Sequence, residues 1–351
     1  MNQLLQNKKV AIVIPYYNAS EKIIEVIKKI PDFINYLIVV DDCGNQPLPK
    51  DAILLNINNY TQTIFLKNEC NLGVGGATKS GFSKALELNL DIVIKVDADD
   101  QMDLKYLPFL IEPIVSKKAD YVKGNRFRDF KALKRMPIVR RFGNLVLSFM
   151  IKISTGYWNV FDPTNGYFAV KVTDLKQLDF TKLSNRYFFE TSLIAELYYL
   201  DARIMDLTMP ALYSDEKSSM KVWQMPMIFS WNLLKLFIKR ILKKYFLFDF
   251  NIGSLYILTG LPLFLFGVFY GIYKWIYYST LNVLAPTGTI MLVTLSIILG
   301  FQLLLQAIQY DIIKSLFPGL CDVSMKTHLD LFIVGDPKQS IYGFRNADVR
   351  V

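Results

Sequence analysis

Residues 92–103 read IVIKVDADDQMD, an apolar and partly β-branched run that ends on Asp97, Asp99, Asp100 and Asp103 with Gln101 among them. Two carboxylates one residue apart at the end of a strand offer hard oxygen donors suited to Mg²⁺ or Mn²⁺. A divalent cation held by Asp97, Asp99 and Gln101 would bridge a diphosphate and neutralise it as it leaves. Two other readings also end a strand on acid. One is a helix start, where Asp favours the positive end of the dipole; Asp100 and Asp103 are read that way. The other is the acidic strand of a P-loop ATPase. GVGGATKS, Gly73 to Ser80, nearly supplies the loop such an enzyme needs. Thr78 stands where G-x-x-x-x-G-K-[ST] requires its second glycine, whose missing side chain lets the loop wrap phosphates. Gly73, Gly75 and Gly76 then make a tight turn into a helix starting near Ala77, with free amides that either face a ligand or simply close the turn.

Scarcity excludes other chemistry. The chain has one histidine, His328, and three cysteines, Cys43, Cys70 and Cys321, in no CxxC pattern. A Ser/His/Asp hydrolase and a His-rich zinc site are not expected, and the cysteines point to a reducing compartment without a disulfide framework. Forty Lys+Arg against 31 Asp+Glu favour anionic partners such as phosphates, nucleic acid or an anionic membrane surface. The N-terminal MNQLLQNKK has no apolar signal-peptide core.

The acidic pair must be positioned by strands. Short apolar runs at 10–14, 36–40 and 92–96 end at Pro15, at Asp41-Asp42 and at Asp97. Between the first two, SEKIIEVIKKI has apolar residues at helical spacing, with Ser20 as its expected N-cap. Strands alternating with helices predict an α/β fold around a mainly parallel sheet. Ligands of such sheets bind beyond the carboxyl ends of the strands. Pro15 to Asn18, Asp41-Asp42 and Asp97 to Asp99 would meet there.

Composition changes after about residue 225. NLLKLFIKRILKKYF carries Lys235, Lys239, Arg240, Lys243 and Lys244 at amphipathic spacing, which predicts an interfacial helix on an anionic leaflet. No charged residue lies between Asp249 and Lys274, or between Lys274 and Asp311. Each interval is long enough for a bilayer span, predicted at about 252–273 and 289–309. By the positive-inside rule the catalytic domain and both termini are cytoplasmic, on an inner cell membrane crossed twice. The expected organisation is a catalytic domain over 1–225, an interfacial basic helix over 226–250, two transmembrane helices within 251–312 and a tail over 313–351.

IVIPYYN, IVVDD, NLGVGGATKSGF and KVDADDQ, followed in order by YVKGNRF, MPIVRRFGN, DPTNGYFAV and YSDEKSSMK, resemble the family 2 glycosyltransferases. The branch most resembled contains the dolichol-phosphate mannose synthase-like and polyprenyl-phosphate glycosyltransferases. The resemblance spans roughly residues 8–312. It implies a GT-A, Rossmann-like fold and transfer of a hexose from a UDP- or GDP-sugar to undecaprenyl or dolichyl phosphate. It further implies a nucleotide-sugar pocket lined by Pro15, Tyr17, Asp41, Asp42, Gly75, Gly76 and Asp97. Mg²⁺ or Mn²⁺ would sit on Asp97, Asp99 and Gln101. Phosphates would meet Arg126 and Arg140, with Arg141 standing in for Arg140 and Lys221 adding to the cluster. Asp162 would shape the donor-sugar or acceptor side and join Asp99, Arg126 and Arg140 in catalysis, with Glu190 a weaker candidate. The resemblance also admits a membrane homo-oligomer. Two positions depart from the family. Ala19 follows PYYN where Glu is frequent, and DDCGN replaces DDGS, which sets Cys43 beside the pocket.

A phosphate monoester is mostly a dianion at pH 7, so it needs little help from a general base, whereas a hydroxyl acceptor needs one. Direct displacement with inversion is therefore expected, with transfer to a saccharide or lipid hydroxyl as the alternative. No Q-x-x-R-W motif occurs, which counts against a processive polysaccharide synthase. LFIVGDPKQSIYGFRNAD, Leu331 to Asp348, resembles a motif of superfamily 1 DNA helicases of the UvrD/Rep type. A nucleic-acid-dependent ATPase would need a P-loop and a partner acidic strand, and neither accompanies this fragment. The tail is read as a non-functional fusion, frameshift or assembly scar, and no nucleic-acid partner is expected.

Overall fold

The computed structural model describes residues 8–126, 138–210 and 225–316. Its elements in chain order are β1 (Val10–Tyr16), α1 (Ser20–Lys28), β2 (Tyr36–Asp41), α2 (Lys50–Asn56), β3 (Gln62–Lys67), α3 (Val74–Glu87), β4 (Ile92–Lys95) and α4 (Leu107–Val115). There follow β5 (Tyr121–Asn125), α5 (Ile138–Thr155), β6 (Phe168–Lys171), α6 (Phe189–Tyr198), β7 (Ile204–Thr208), α7 (Met225–Ile241), α8 (Ile252–Thr280) and α9 (Thr287–Leu316).

The strands form one sheet in the order β3-β2-β1-β4-β6-β5-β7. Only β6 runs against its neighbours; the other pairings are parallel. Strand residues alternate between two buried faces, so the runs read as continuously apolar. Val10, Ile12 and Ile14 pack under α1 and α4 with Ile23, Ile27, Leu107 and Leu110. Ala11, Val13 and Val93 pack under α3 and α6 with Ala77, Phe82, Phe189 and Leu193. α3 lies close on β1, since a Cβ at Gly81 would fall 2.3 Å from Val13.

The antiparallel β6 has a functional consequence. The carboxyl ends of β1, β2, β4 and β5 share one edge, and β6 begins there. The loop that precedes β6, with Asp162 and Gly166, therefore joins the loops after the parallel strands.

Several expectations are corrected. Ser20 is the first helical residue and not the cap; Ala19 takes that position without a side-chain bond, and the Ser20 hydroxyl instead lies 3.2 Å from Gln46 Oε1. α3 starts at Val74, three residues before Ala77. Asp103 does cap a helical turn, accepting from the Lys105 amide, but Asp100 lies in a left-handed turn with φ +60° and pairs with Lys29 at 2.6 Å.

Three of the five cations expected on the interfacial helix, in α7 and just after it, form ion pairs within the protein. Lys239 pairs with Glu196, Arg240 with Asp311 and Lys244 with Asp201. Trp231, Leu234 and Ile238 are exposed, with the exposed Lys235 among them. The opposite side packs on α5, where Leu233 meets Ile151 and Phe188. Leu145, Val146 and Phe149 of α5 are exposed as well.

α8 and α9, 29 and 30 residues long, are long and apolar enough to cross a membrane. They pack as a hairpin through small residues that let the backbones approach; a Cβ at Gly300 would sit 2.5 Å from the Phe264 amide. Asn251 and Ser254 cap α8 reciprocally. Both helices outrun the predicted spans, α8 by seven residues beyond 273 and α9 by seven beyond 309. The far end of α9 returns to the α/β part. Asp311 accepts from Arg240 at 2.6 Å, Tyr245 at 2.6 Å and the Trp158 indole at 2.9 Å, and Lys314 pairs with Asp249 at 3.1 Å.

Candidate active site

β1 and β2 end side by side, with Tyr16 in register with Asp41. Tyr16 is buried and donates to the carbonyls of Gln46 and Pro47, while Tyr17 is 51% exposed. Asn18 turns with φ +52° and accepts from the Gln46 amide, which draws the loops after β1 and β2 together. Cys43, beside them, is exposed at φ +57°. One oxygen of Asp41 is buried with no hydrogen-bond partner among the described residues. Leaving a buried acceptor unpaired is costly, so that oxygen invites a ligand donor. Pro15 sits one residue inside β1, opposite Val40.

Asp42 has a different position. Its carboxylate accepts from Asn68 Nδ2 at 2.7 Å, the Leu72 amide at 3.0 Å and the Gly73 amide at 2.8 Å. It pins the chain that leads into α3. Gly75 and Gly76 serve packing there. A Cβ at Gly75 would meet the Ser184 carbonyl at 2.5 Å, and the Gly76 amide donates to the Asn185 carbonyl.

The acidic pair follows β4. Burial, and then the charge of Asp97, raise the Asp99 carboxyl above its ordinary pKa. Asp99 also accepts from the Gln101 amide at 3.1 Å. Two carboxylates one residue apart, both only partly buried at the ligand edge, supply hard oxygen donors that fit a divalent cation. Among the described residues no cluster of three or more His, Cys, Asp or Glu is arranged as a metal cage. Asp97, Asp99 and Gln101 would therefore hold Mg²⁺ or Mn²⁺ jointly with diphosphate oxygens and water, the usual way Mg²⁺ is bound.

Asp162, fully buried, takes Arg126 as a fork: Nε to Oδ2 at 2.8 Å and Nη2 to Oδ1 at 3.1 Å. Such bidentate pairs fix the guanidinium's plane. The loop carrying Asp162 is tied down by Asn165 to the Gly124 carbonyl, by the Phe161 amide to Asp206 and by Ser148 to the Phe161 carbonyl. Arg140 and Arg141 fall in the first turn of α5, with side chains outside the described residues, and Lys221 lies outside them altogether.

Two buried lysines are not foreseen from the motifs. Lys95, on β4, reaches Asp97 at 2.8 Å and Glu190 at 3.1 Å. Burial alone would lower its pKa; Asp97 and Glu190 outweigh that and hold it above the ordinary lysine value. Lys123, on β5 beside Asp206 in register, has no hydrogen-bond partner for its Nζ among the described residues. Burial lowers its pKa to about 8 against the attraction of Asp162, Asp206 and Glu190. Their one signal in the sequence was a lysine interrupting an apolar strand, in IVIKV and YVKGN.

The model of glycosyl transferase family 2 matches residues 11–179, and that of the UvrD/REP helicase N-terminal domain matches 302–351. The latter overlaps the end of α9 and otherwise covers residues that are not described. A UDP-N-acetylglucosamine–dolichyl-phosphate N-acetylglucosaminyltransferase of Methanococcus voltae is 34% identical, over 52% of this chain and 77% of that protein. An undecaprenyl-phosphate mannosyltransferase of Micrococcus luteus is 26% identical, over 57% and 82%. Among solved structures, glucosyl-3-phosphoglycerate synthase from Mycobacterium tuberculosis in complex with UDP superposes with a TM-score of 0.51, covering 67% of this chain and 82% of that one at 18% identity. This last likeness is one of fold.

Proposed function

The chain belongs to glycosyl transferase family 2, and from that premise we propose that it moves a hexose from a UDP- or GDP-sugar to a polyprenyl phosphate with inversion at the anomeric carbon. The observation that carries the reading is the shared sheet edge, where the Asp97–Asp99 pair after β4 and the oriented, partly exposed Arg126 after β5 both stand. One half suits a metal-bound diphosphate and the other a phosphate oxygen. The names of the Methanococcus and Micrococcus relatives support a lipid-phosphate acceptor.

In this reading Tyr17 and Asp41 receive the nucleoside, with Asp42 holding the loop behind it. Mg²⁺ or Mn²⁺ on Asp97, Asp99 and Gln101 would supply charge neutralisation for the leaving diphosphate. Arg126, kept in place by Asp162, stabilises phosphate charge in the transition state as a preorganised donor. Arg140, Arg141 and Lys221 would extend that cluster. An oxygen of the acceptor phosphate attacks the anomeric carbon as the bond to the diphosphate oxygen breaks. The acceptor is already a dianion, so no side chain need take a proton.

The hairpin α8–α9 would cross the inner membrane twice. The contacts of Asp311 with Arg240 and Trp158 support a return to the side of the catalytic domain, taken as cytoplasmic. The exposed apolar faces of α5 and α7 would enter the headgroup boundary, close to where a lipid phosphate waits.

Radiolabelled sugar transfer to dolichyl or undecaprenyl phosphate tests this, using membranes and a panel of UDP- and GDP-sugars with Mg²⁺ or Mn²⁺. UDP-N-acetylglucosamine comes first in the panel. A lipid-linked product that disappears in Asp99→Ala is expected; no lipid product from any donor overturns the reading.

A further inference from the structure

We infer that Lys95 makes the donor site take its divalent cation together with a nucleoside diphosphate and not alone, with Glu190 anchoring the lysine. This rests on the metal reading of Asp97 and Asp99. Lys95 is 1% exposed, and its ammonium lies 2.8 Å from Asp97 Oδ1 and 3.1 Å from Glu190 Oε1. Glu190 is itself 8% exposed, in the first turn of α6. Room for this chain of charges is built in. A Cβ at Gly166 would fall 2.5 Å from Lys95 Nζ and 2.8 Å from Asp97 Oδ2, so the loop that carries Asp162 passes the pair with a residue that has no side chain.

Two carboxylates, Asp97 and Glu190, thus hold one fixed ammonium, with Asp99 two residues beyond Asp97. A bare cation approaching Asp97 meets an oxygen that already has a positive partner, and like charges at such a distance oppose each other. A cation arriving on a diphosphate brings compensating negative charge, and the same ammonium then attracts the complex. Glu190 moderates the effect by sharing the lysine. Because Lys95 and Glu190 are buried and joined by a hydrogen bond, the ammonium is held in place, unlike that of an exposed lysine.

The test is Mn²⁺ binding to the full-length protein in detergent, followed by electron paramagnetic resonance of free Mn²⁺, alone and with UDP or GDP. In Lys95→Gln, bare Mn²⁺ should bind roughly tenfold tighter, the scale on which one adjacent charge shifts an ionisation, and the gain from adding nucleotide should shrink. In Glu190→Gln, Lys95 falls wholly to Asp97, and bare Mn²⁺ should bind weaker by a similar factor. Damage to the fold would weaken both variants, so opposite signs are the signature. Wild-type binding that depends on Asp99, with Lys95→Gln unchanged or weaker, overturns the inference and leaves the metal reading standing. Mn²⁺ binding that is the same in wild type and Asp99→Ala, with either nucleotide, overturns the metal reading and this inference with it.

Discussion

Cys43 occupies a backbone conformation that favours glycine. Its φ of +57° follows from the tight turn after Asp42, where DDCGN replaces the DDGS of the family. Left-handed backbone costs an L-residue about 1 kcal/mol. Cys43→Gly should therefore stabilise the protein by about that amount and raise the thermal midpoint in detergent. At the same scale, the fork between Arg126 and Asp162 makes a sharp prediction. Asp162→Asn keeps the shape but removes the charge that orients the guanidinium. Losing one preorganised donor to transition-state charge typically costs about 10²-fold or more in rate. Transfer by Asp162→Asn and by Arg126→Lys should fall by that order, measured as kcat for lipid-linked product, with donor KM changing much less.

At the scale of elements, β5 carries a charge into the core. Lys123 titrates near 8 in the folded protein and at the ordinary lysine value when unfolded. Between those values the unfolded chain holds more protons, so stability rises with pH, by at most about 1.4 kcal/mol for each pH unit crossed. The difference in thermal midpoint between wild type and Lys123→Met should change steadily from pH 8 to 10, because the variant lacks this rise. A difference that stays flat would refute the buried charge. α7 makes a second prediction, since Trp231, Leu234 and Ile238 are exposed while Lys239 and Arg240 are engaged by carboxylates. Leu234→Glu with Ile238→Glu should lower transfer to long-chain polyprenyl phosphate in vesicles and spare transfer to a short, water-soluble analogue. Lys235→Glu should have a small effect on either.

For the molecule as a whole, one buried hub ties the hairpin to the catalytic part. Arg240, 3% exposed, holds Asp311 and the Ile153 carbonyl, and Asp311 reaches Trp158 at the start of the loop that carries Asp162. Breaking a buried ion pair by removing one partner typically costs about 3–5 kcal/mol. Arg240→Met should lower the thermal midpoint strongly, and adding Asp311→Leu should recover much of the loss. The helicase-like segment lies outside the described residues, and the tail is proposed to take no part in transfer. Deleting residues 325–351 should leave lipid-linked product formation intact.

Local chemistry was legible in the chain. Apolar runs, helical spacing and two long uncharged intervals depend on neighbours in sequence, so the early strands, the hairpin and the acidic turn at Asp97 could be read directly. Cap positions slipped by a residue or a turn, as at Ser20 and Val74, because several residues there can begin a helix and tertiary bonds choose among them. Which charges are buried, and with whom they pair, could not be read. That was decided by β6 entering antiparallel between β4 and β5, which carries Asp162 and Gly166 to the ligand edge while α6 packs over the same strands and brings Glu190 to Lys95. Asp42 became a loop anchor because Asn68 and the Leu72 and Gly73 amides gather on it, and Arg240 turned inward to Asp311. An ionisable side chain acquires its role from the desolvation and partners that folding supplies, and those come from residues far away in sequence.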